Sequence, residues 1–236
     1  MVSHRNLTQQ LVHLLGKDIL QGKYPSGSHL PSEADICSQY DISRTSVREA
    51  VKMLTAKGLI SSRPRQGITV QNTDKWNLFD SDVLEWILTG KPDLYMLRHF
   101  LQLRLAIEPE AAYLAAQYAT PEHLTIIEQA LIRMKSATTG FDDTLEADID
   151  FHKSVLNASN NPFFIQLMNF IETALRVNIR FTNRMKAVTK EEYQAHVDIF
   201  NAIKSGEADK AYQLALVTQK ATLAIVNEKI SLLESS

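Results

Sequence analysis

Four positions in the later part of this 236-residue chain carry the side chains best able to do chemistry. Asp148 and His152 stand four apart in a stretch of helical periodicity, which puts a carboxylate and an imidazole on one helix face. His196 follows on a later helical stretch with Val197, Phe200 and Ile203 nearby, so its surroundings read as internal. Arg104 lies on an earlier long helix, with Glu108 one turn further on. One carboxylate and two imidazoles converging in a helical core suit a first-row divalent metal held by Asp148, His152 and His196. A guanidinium beside them suits a carboxylate ligand, which it grips through paired, charge-assisted hydrogen bonds. The spacing equally admits an Asp148–His152 pair on the surface, with His196 as a satisfied core histidine. Arg176, Asn178, Arg180 and Asn183 share one segment that could add polar contacts, or form a solvated helix face.

A second set is basic and lies near the start. Ser43, Arg44, Thr45, Ser46, Arg48 and Lys52 fall on the first turns and outer face of one helix. An arginine at such a place can pair bidentately with guanine, a contact worth about 1–3 kcal/mol of discrimination. Thr45 and Ser46 can donate to phosphates beside the helix N-terminus. Arg63, Arg65, Gln66 and Gly67 form a short basic turn that could enter a minor groove. A basic patch alone would more often be a solvated surface, so the elements around it decide its meaning.

Those elements can be read directly. Leu7, Leu11, Leu14, Leu15 and Ile19 predict a first helix ending before Gly22. Ser32 with Asp35 makes a capping-box pattern for a short second helix that ends near Tyr40. Ser43 caps a third helix with Val47, Val51 and Leu54 inward, stopped by Gly58. Two short runs, Leu59 to Ser62 and Ile68 to Val70, flank the Arg63–Gly67 turn as a hairpin. Three helices followed by a basic-tipped hairpin describe a winged helix-turn-helix spanning residues 1–75. From Asp80 onward the pattern is helical almost throughout. The expected helices run 94–118 with a kink at Pro109, then 121–136, 142–158, 162–184, 190–205 and 208–233. Residues 76–236 therefore read as an all-α antiparallel bundle, and the whole chain as mainly α with one small β-hairpin wing.

Bulk properties agree. The net charge of −2 hides an asymmetry, with 10 Lys/Arg against 6 Asp/Glu through Lys75 and 15 against 21 after it. A small basic module facing a polyanion and a larger acidic module with another task would produce this split. The single cysteine, Cys37, excludes an intramolecular disulfide and suits a reducing compartment. No apolar run reaches the length of a membrane span, and the first residues lack a signal-peptide pattern, so a cytoplasmic location without membrane partners is expected.

The wording of the N-terminal region resembles the GntR family of bacterial regulators. The resemblance rests on Gly22-Lys-Tyr-Pro-Ser-Gly27, Leu30-Pro-Ser-Glu33, Ser43-Arg-Thr-Ser-Val-Arg-Glu-Ala50, Gly58-Leu-Ile60 and Gly67-Ile-Thr-Val70. It implies that Arg44 and Arg48 belong to the recognition helix and that Gln66-Gly67 is the wing tip. The later region is similar to the FCD effector domain of the FadR subfamily. That likeness is carried by Leu103-Arg104, Glu108-Pro109, Ala111-Ala112, Ala115-Ala116, Asp148-Ile-Asp-Phe-His152, Asn160-Asn-Pro162, His196 and Gly206-Glu-Ala-Asp-Lys-Ala211. By this resemblance Asp148, His152 and His196 are three ligands of a divalent metal (zinc, nickel or manganese), and Arg104 faces the effector. The family's fourth ligand, a histidine, falls at or beside Thr218, and a hydroxyl is a far poorer ligand. The stretch Trp76-Asn-Leu-Phe-Asp-Ser-Asp-Val-Leu-Glu-Trp86 resembles the sugar-acid repressors of the family, the galactonate-operon group above all.

Together these readings imply a homodimeric repressor on two-fold operator DNA, released when a small carboxylate such as a sugar acid binds among Arg104, Asp148, His152, His196 and Asn178. A regulator of the same type responding to an acyl-CoA or an amino acid is one alternative. Another is a metal-dependent hydrolase or lyase with a DNA-binding appendage, for which Asp150 or Glu108 would have to serve as the general base.

Overall fold

The structure, a computed structural model, describes residues 7–88, 94–136, 141–183 and 190–235. By contacts the chain divides into two compact units, Met1–Gly90 and Lys91–Ser236.

In the first unit, helices α1 (Leu7–Leu20), α2 (Glu33–Tyr40) and α3 (Arg44–Ala56) precede a two-stranded antiparallel sheet of β1 (Ile60–Arg63) and β2 (Gly67–Val70). The strands pair Ile60 with Val70 and Arg63 with Gly67. Both expected caps are present. The Ser32 hydroxyl accepts from the Asp35 amide while the Asp35 carboxylate accepts from the Ser32 amide, and the Ser43 hydroxyl accepts from the Ser46 amide. Each cap satisfies amides that have no partner inside the helix. Leu11, Leu15 and Ile19 of α1 pack with Ile36, Val47, Val51, Leu54, Leu59, Ile68 and Val70 in one buried cluster. Gly58 ends α3 at a positive φ of 74°, and a β-carbon there would lie 2.0 Å from the Lys75 carbonyl oxygen. Only glycine satisfies both demands.

The same cluster includes Val83 and Trp86. They belong to α4 (Ser81–Leu88), so the expected boundary at Lys75 falls too early. The reason is physical. Asp80 caps α4 through the amides of Asp82 and Val83, and the buried Lys57 ammonium, at the end of α3, bonds both Asp80 oxygens at 2.7 and 2.8 Å and Asp82 at 2.9 Å. Burial pushes the Lys57 ammonium down, but the two carboxylates hold it above its ordinary value. Trp86 lies over Gly16 of α1 and donates its indole N–H to His13 Nδ1 at 2.8 Å.

Every described element of the second unit is a helix: α5 (Leu94–Tyr118), α6 (Pro121–Ser136), α7 (Phe141–Ala158), α8 (Pro162–Gln166), α9 (Met168–Asn183), α10 (Lys190–Lys204) and α11 (Ala208–Glu234). The stretch expected as one helix over 162–184 is two. The Leu167 amide bonds back only three residues, to Phe164, and this tight turn closes α8 before the Leu167 carbonyl starts α9 with Ile171. Helix α5 runs through Pro109 as a single element. It packs chiefly against α11, where Ala111, Ala112 and Ala115 are buried, as are Ala211 and Ala215 on α11. Small side chains of this kind let helix axes approach closely. None of the described helices is long and apolar enough to cross a membrane.

Candidate functional site

The polar side chains singled out in the second unit do converge. Arg104 and Glu108 come from α5, Asp148 and His152 from α7, His196 from α10 and Gln219 from α11. All but Asp148 are buried. The i, i+4 spacing on α5 lets the Arg104 guanidinium grip Glu108 with two bonds, Nε to Oε1 at 2.5 Å and Nη2 to Oε2 at 3.0 Å. Glu108 Oε2 also lies 2.9 Å from His152 Nδ1 and accepts from Gln219 Nε2 at 2.5 Å. Burial alone would raise the Glu108 carboxyl, yet the charges of Arg104 and His152 and the bonds from both hold it at about 2. Glu108 is therefore an ionised hub whose lone pairs are taken.

The hub fixes the imidazoles. His152 sets Nδ1 2.9 Å from Glu108 Oε2 and Nε2 3.9 Å from Asp148 Oδ2, with Arg104 Nη2 3.3–3.4 Å from both ring nitrogens. His196 Nδ1 donates to the Glu192 carbonyl at 2.7 Å, which leaves Nε2 as the lone-pair nitrogen. That nitrogen is buried, makes no aligned hydrogen bond, and sits 3.1 Å from Asp148 Oδ1. A lone pair facing a carboxylate oxygen at this distance repels unless a cation lies between them. A proton satisfies the pair: burial pushes His196 down, but Asp148 holds it above its ordinary value, and the imidazoles in turn hold Asp148 low against its own burial. A divalent metal satisfies the pair equally well. One donor atom each from Asp148, His152 and His196 lies within 4.8 Å of the others. Both imidazoles have the second nitrogen within 2.9 Å of an oxygen, the Glu192 carbonyl for His196 and the Glu108 carboxylate for His152, as metal-binding histidines do. The donor set thus fits a metal such as zinc or nickel.

Thr218 does not join that set among the described residues. Its hydroxyl donates to the Leu214 carbonyl at 3.0 Å and lines a pocket beside the cluster. The pocket measures about 330 Å³, its mouth included, and Glu108, His152, Thr218 and Gln219 are its polar wall. Ala111, Ala112, Phe151, Val155, Leu156, Ile199 and Ala215 make the rest. Arg104, expected to face a ligand, spends its fork on Glu108. Asp150 lies apart, paired with Arg133 at the surface. Arg176 is bound to Glu146 and Glu172. The side chains of Asn178, Arg180 and Asn183 fall outside the described residues. The sequence marks Glu108 as a neighbour of Arg104 and as a candidate general base, not as the centre of the cluster, and gives no sign of Gln219. The single available signal was the i, i+4 pairing of Glu108 with Arg104.

In the first unit the basic set is displayed outward. Ser43, Arg44, Thr45, Arg48, Lys52, Arg63, Arg65, Gln66 and Gly67 are exposed, and Ser46 is half-buried behind the Ser43 hydroxyl at 3.0 Å. Arg48 and Lys52 are paired within the protein, to Glu33 at 3.1 Å and Glu49 at 2.8 Å. Arg44, Arg63 and Arg65 have no ion pair among the described residues. Arg65 adopts a positive φ of 66° at the hairpin tip, a turn conformation the sequence did not announce.

A capped helix presenting an arginine next to a basic hairpin, joined to a helical unit with a converging Asp–His–His set, is a pairing of two known modules. Residues 7–70 match the bacterial regulatory proteins of the gntR family, and residues 99–218 match the FCD domain. The chain belongs to the GntR family. It is a DNA-binding transcription regulator, not an enzyme. This GntR chain is 36% identical over 212 residues to the galactonate operon transcriptional repressor of Escherichia coli K12, covering 89% of the chain and 93% of that relative. The HTH-type transcriptional repressor NanR of Klebsiella aerogenes is 27% identical, over 94% of the chain and 86% of its own length. Among solved structures, Lar, which controls the expression of the Listeria monocytogenes agr system, superposes with a TM-score of 0.63 at 15% identity, covering 96% of this chain and 99% of its own. E. coli McbR/YncC gives 0.53 at 19% identity, over 96% and 99%. These two likenesses concern the fold alone.

Proposed function

We propose that the protein represses an operon for sugar-acid catabolism and releases its operator when a small hydroxylated carboxylate binds the second unit. The observation that carries this reading is the Asp148–His152–His196 set, with both histidines buried, beside a small pocket, in a chain whose relative represses the galactonate operon. Asp148, His152 and His196 would hold a divalent metal, with Glu108 and the Glu192 carbonyl orienting the two rings. A metal bound there would supply Lewis-acid positive charge for a ligand carboxylate. Arg104 adds positive charge close by and holds the Glu108 hub in place, while Asn178 is proposed to complete the polar surroundings from α9. The pocket encloses little free space between its walls, which favours a compact effector over an acyl-CoA. Glu108, saturated and strongly acidic, and Asp150, tied to Arg133, are both poor general bases, consistent with a regulator.

On the DNA side Arg44, Thr45 and Ser46 would read and grip the major groove from the N-terminus of α3, with Ser43, Arg48 and Lys52 supporting. Arg63, Arg65, Gln66 and Gly67 would meet the minor groove. Two copies would bind a two-fold operator as a homodimer. An effector that releases DNA must bind the DNA-incompetent arrangement more tightly, since an indifferent ligand shifts nothing. The test is fluorescence anisotropy of the full chain on its own promoter region with a panel of sugar acids. Release by at least one of them is expected, and unchanged DNA affinity across the panel would overturn the effector half of the reading.

A further inference from the structure

Gln219 is only 3% exposed, and its two amide ends have opposite fates. Nε2 is given to Glu108 Oε2, while Oε1 is buried without a hydrogen-bond partner. The amide cannot be turned round to mend this. Exchanging its ends would set an oxygen against an ionised carboxylate whose lone pairs already serve Arg104 and His152. Glu108 thus forces Gln219 to present a carbonyl oxygen, and Gln219 is part of the pocket wall. One residue earlier on the same helix, the Thr218 hydroxyl spends its proton on the Leu214 carbonyl and keeps only lone pairs to offer. The α11 side of the pocket therefore carries one buried acceptor without a donor, Gln219 Oε1, and beside it a half-buried hydroxyl whose own proton is spent. A buried acceptor left unpaired keeps the full cost of its lost hydration, so a ligand that supplies the missing donor gains what an apolar ligand forfeits.

We infer that Gln219, with Thr218 beside it, is the specificity element that recognises hydroxyl donors of the effector's carbon chain, on the α11 wall of the pocket. This rests on the sugar-acid reading and deepens it. The carboxylate end is left to Asp148, His152, His196 and Arg104, whereas the α11 wall counts hydroxyls. A carboxylate without them, such as a fatty acid, leaves the Gln219 oxygen unsatisfied and is rejected. A site built to bond a hydroxyl discriminates far more sharply than an apolar one.

The experiment is calorimetric titration of the full chain with D-galactonate and with its series of monodeoxy analogues, repeated on Gln219→Met. The parent is expected to bind one deoxy analogue at least tenfold more weakly than galactonate. In Gln219→Met, galactonate should fall to the level of that analogue while the analogue itself binds as before. A variant that merely loosened the fold would weaken both ligands together. If the parent binds galactonate and every deoxy analogue alike, the inference is overturned, and this arm needs no variant to fold. If the discrimination survives intact in Gln219→Met, the inference is equally overturned while the sugar-acid reading stands. Should the parent bind neither galactonate nor any other sugar acid, the underlying reading fails, and the inference falls with it.

Discussion

Two residues concentrate the chemistry of their units. Glu108 receives Arg104, His152 and Gln219 together, and through them it decides which nitrogen of His152 faces Asp148. Its carboxyl sits at about 2 in the folded protein against an ordinary 4.5. A carboxyl held low in the folded state stabilises above its unfolded value and loses that contribution as pH falls through the folded one. Acid unfolding followed by circular dichroism should therefore show a stability loss from about pH 4.5 toward 2, and Glu108→Gln should flatten this limb while lowering stability at neutral pH. A variant with the parent's acid limb would show that the hub carries no such linkage. At the other end of the chain, Arg44 projects from a capped helix and Arg63 and Arg65 from a turn, all without internal ion pairs among the described residues. Arg44→Ala should relax operator discrimination by about 1–3 kcal/mol at one base position. Arg63→Ala or Arg65→Ala should weaken all sequences alike and lower the slope of log affinity against log salt by about one. Equal loss of specificity in all three would show the roles to be misassigned.

Helices and strands differ in how openly the sequence declares them. Ser32 with Asp35, Ser43 and Gly58 act on amides and carbonyls within a few residues, so the borders of α2 and α3 were legible from local spacing. The wing was legible for the same reason, except that nothing in its letters announced the left-handed Arg65. What escaped depends on partners distant in sequence. The placement of α4 rests on Trp86 meeting Gly16 and on Lys57 meeting Asp80 and Asp82. The break at Leu167 is one hydrogen bond of tighter pitch inside an otherwise helical pattern. In the buried site, the residues with familiar ligand chemistry could be named in advance. Gln219 could not, because its importance comes from facing Glu108 across the α5–α11 contact. The Trp86 contact yields a sharp expectation. A β-carbon at Gly16 would lie 2.2 Å from the indole, so Gly16→Ala should cost about 1–3 kcal/mol although alanine is the better helix former. Combining it with Trp86→Ala should abolish that cost, and additive losses in denaturant titrations would contradict the contact.

At the scale of the whole molecule, a reader of DNA and a reader of small molecules share one chain, each with its own core. Their coupling is expected to appear as a linkage. A sugar acid that raises the melting temperature of the full chain should do so only while a divalent metal is present, and chelation should remove both the shift and the release of operator DNA. Stabilisation that persists unchanged in chelator would assign effector binding to the protein groups alone. Helix α4 matters here for a different reason, the inheritance of parts. Two units on one chain can be recombined by exchanging one sensing module for another, and the seam of such an exchange has to leave both halves foldable. A chimera cut at Lys75 would strip Trp86 and Val83 from the head, leave Gly16 facing water and orphan the buried Lys57 charge. The heritable head is the stretch that ends after α4, and hybrids spliced there should express where those spliced at the foot of the wing do not.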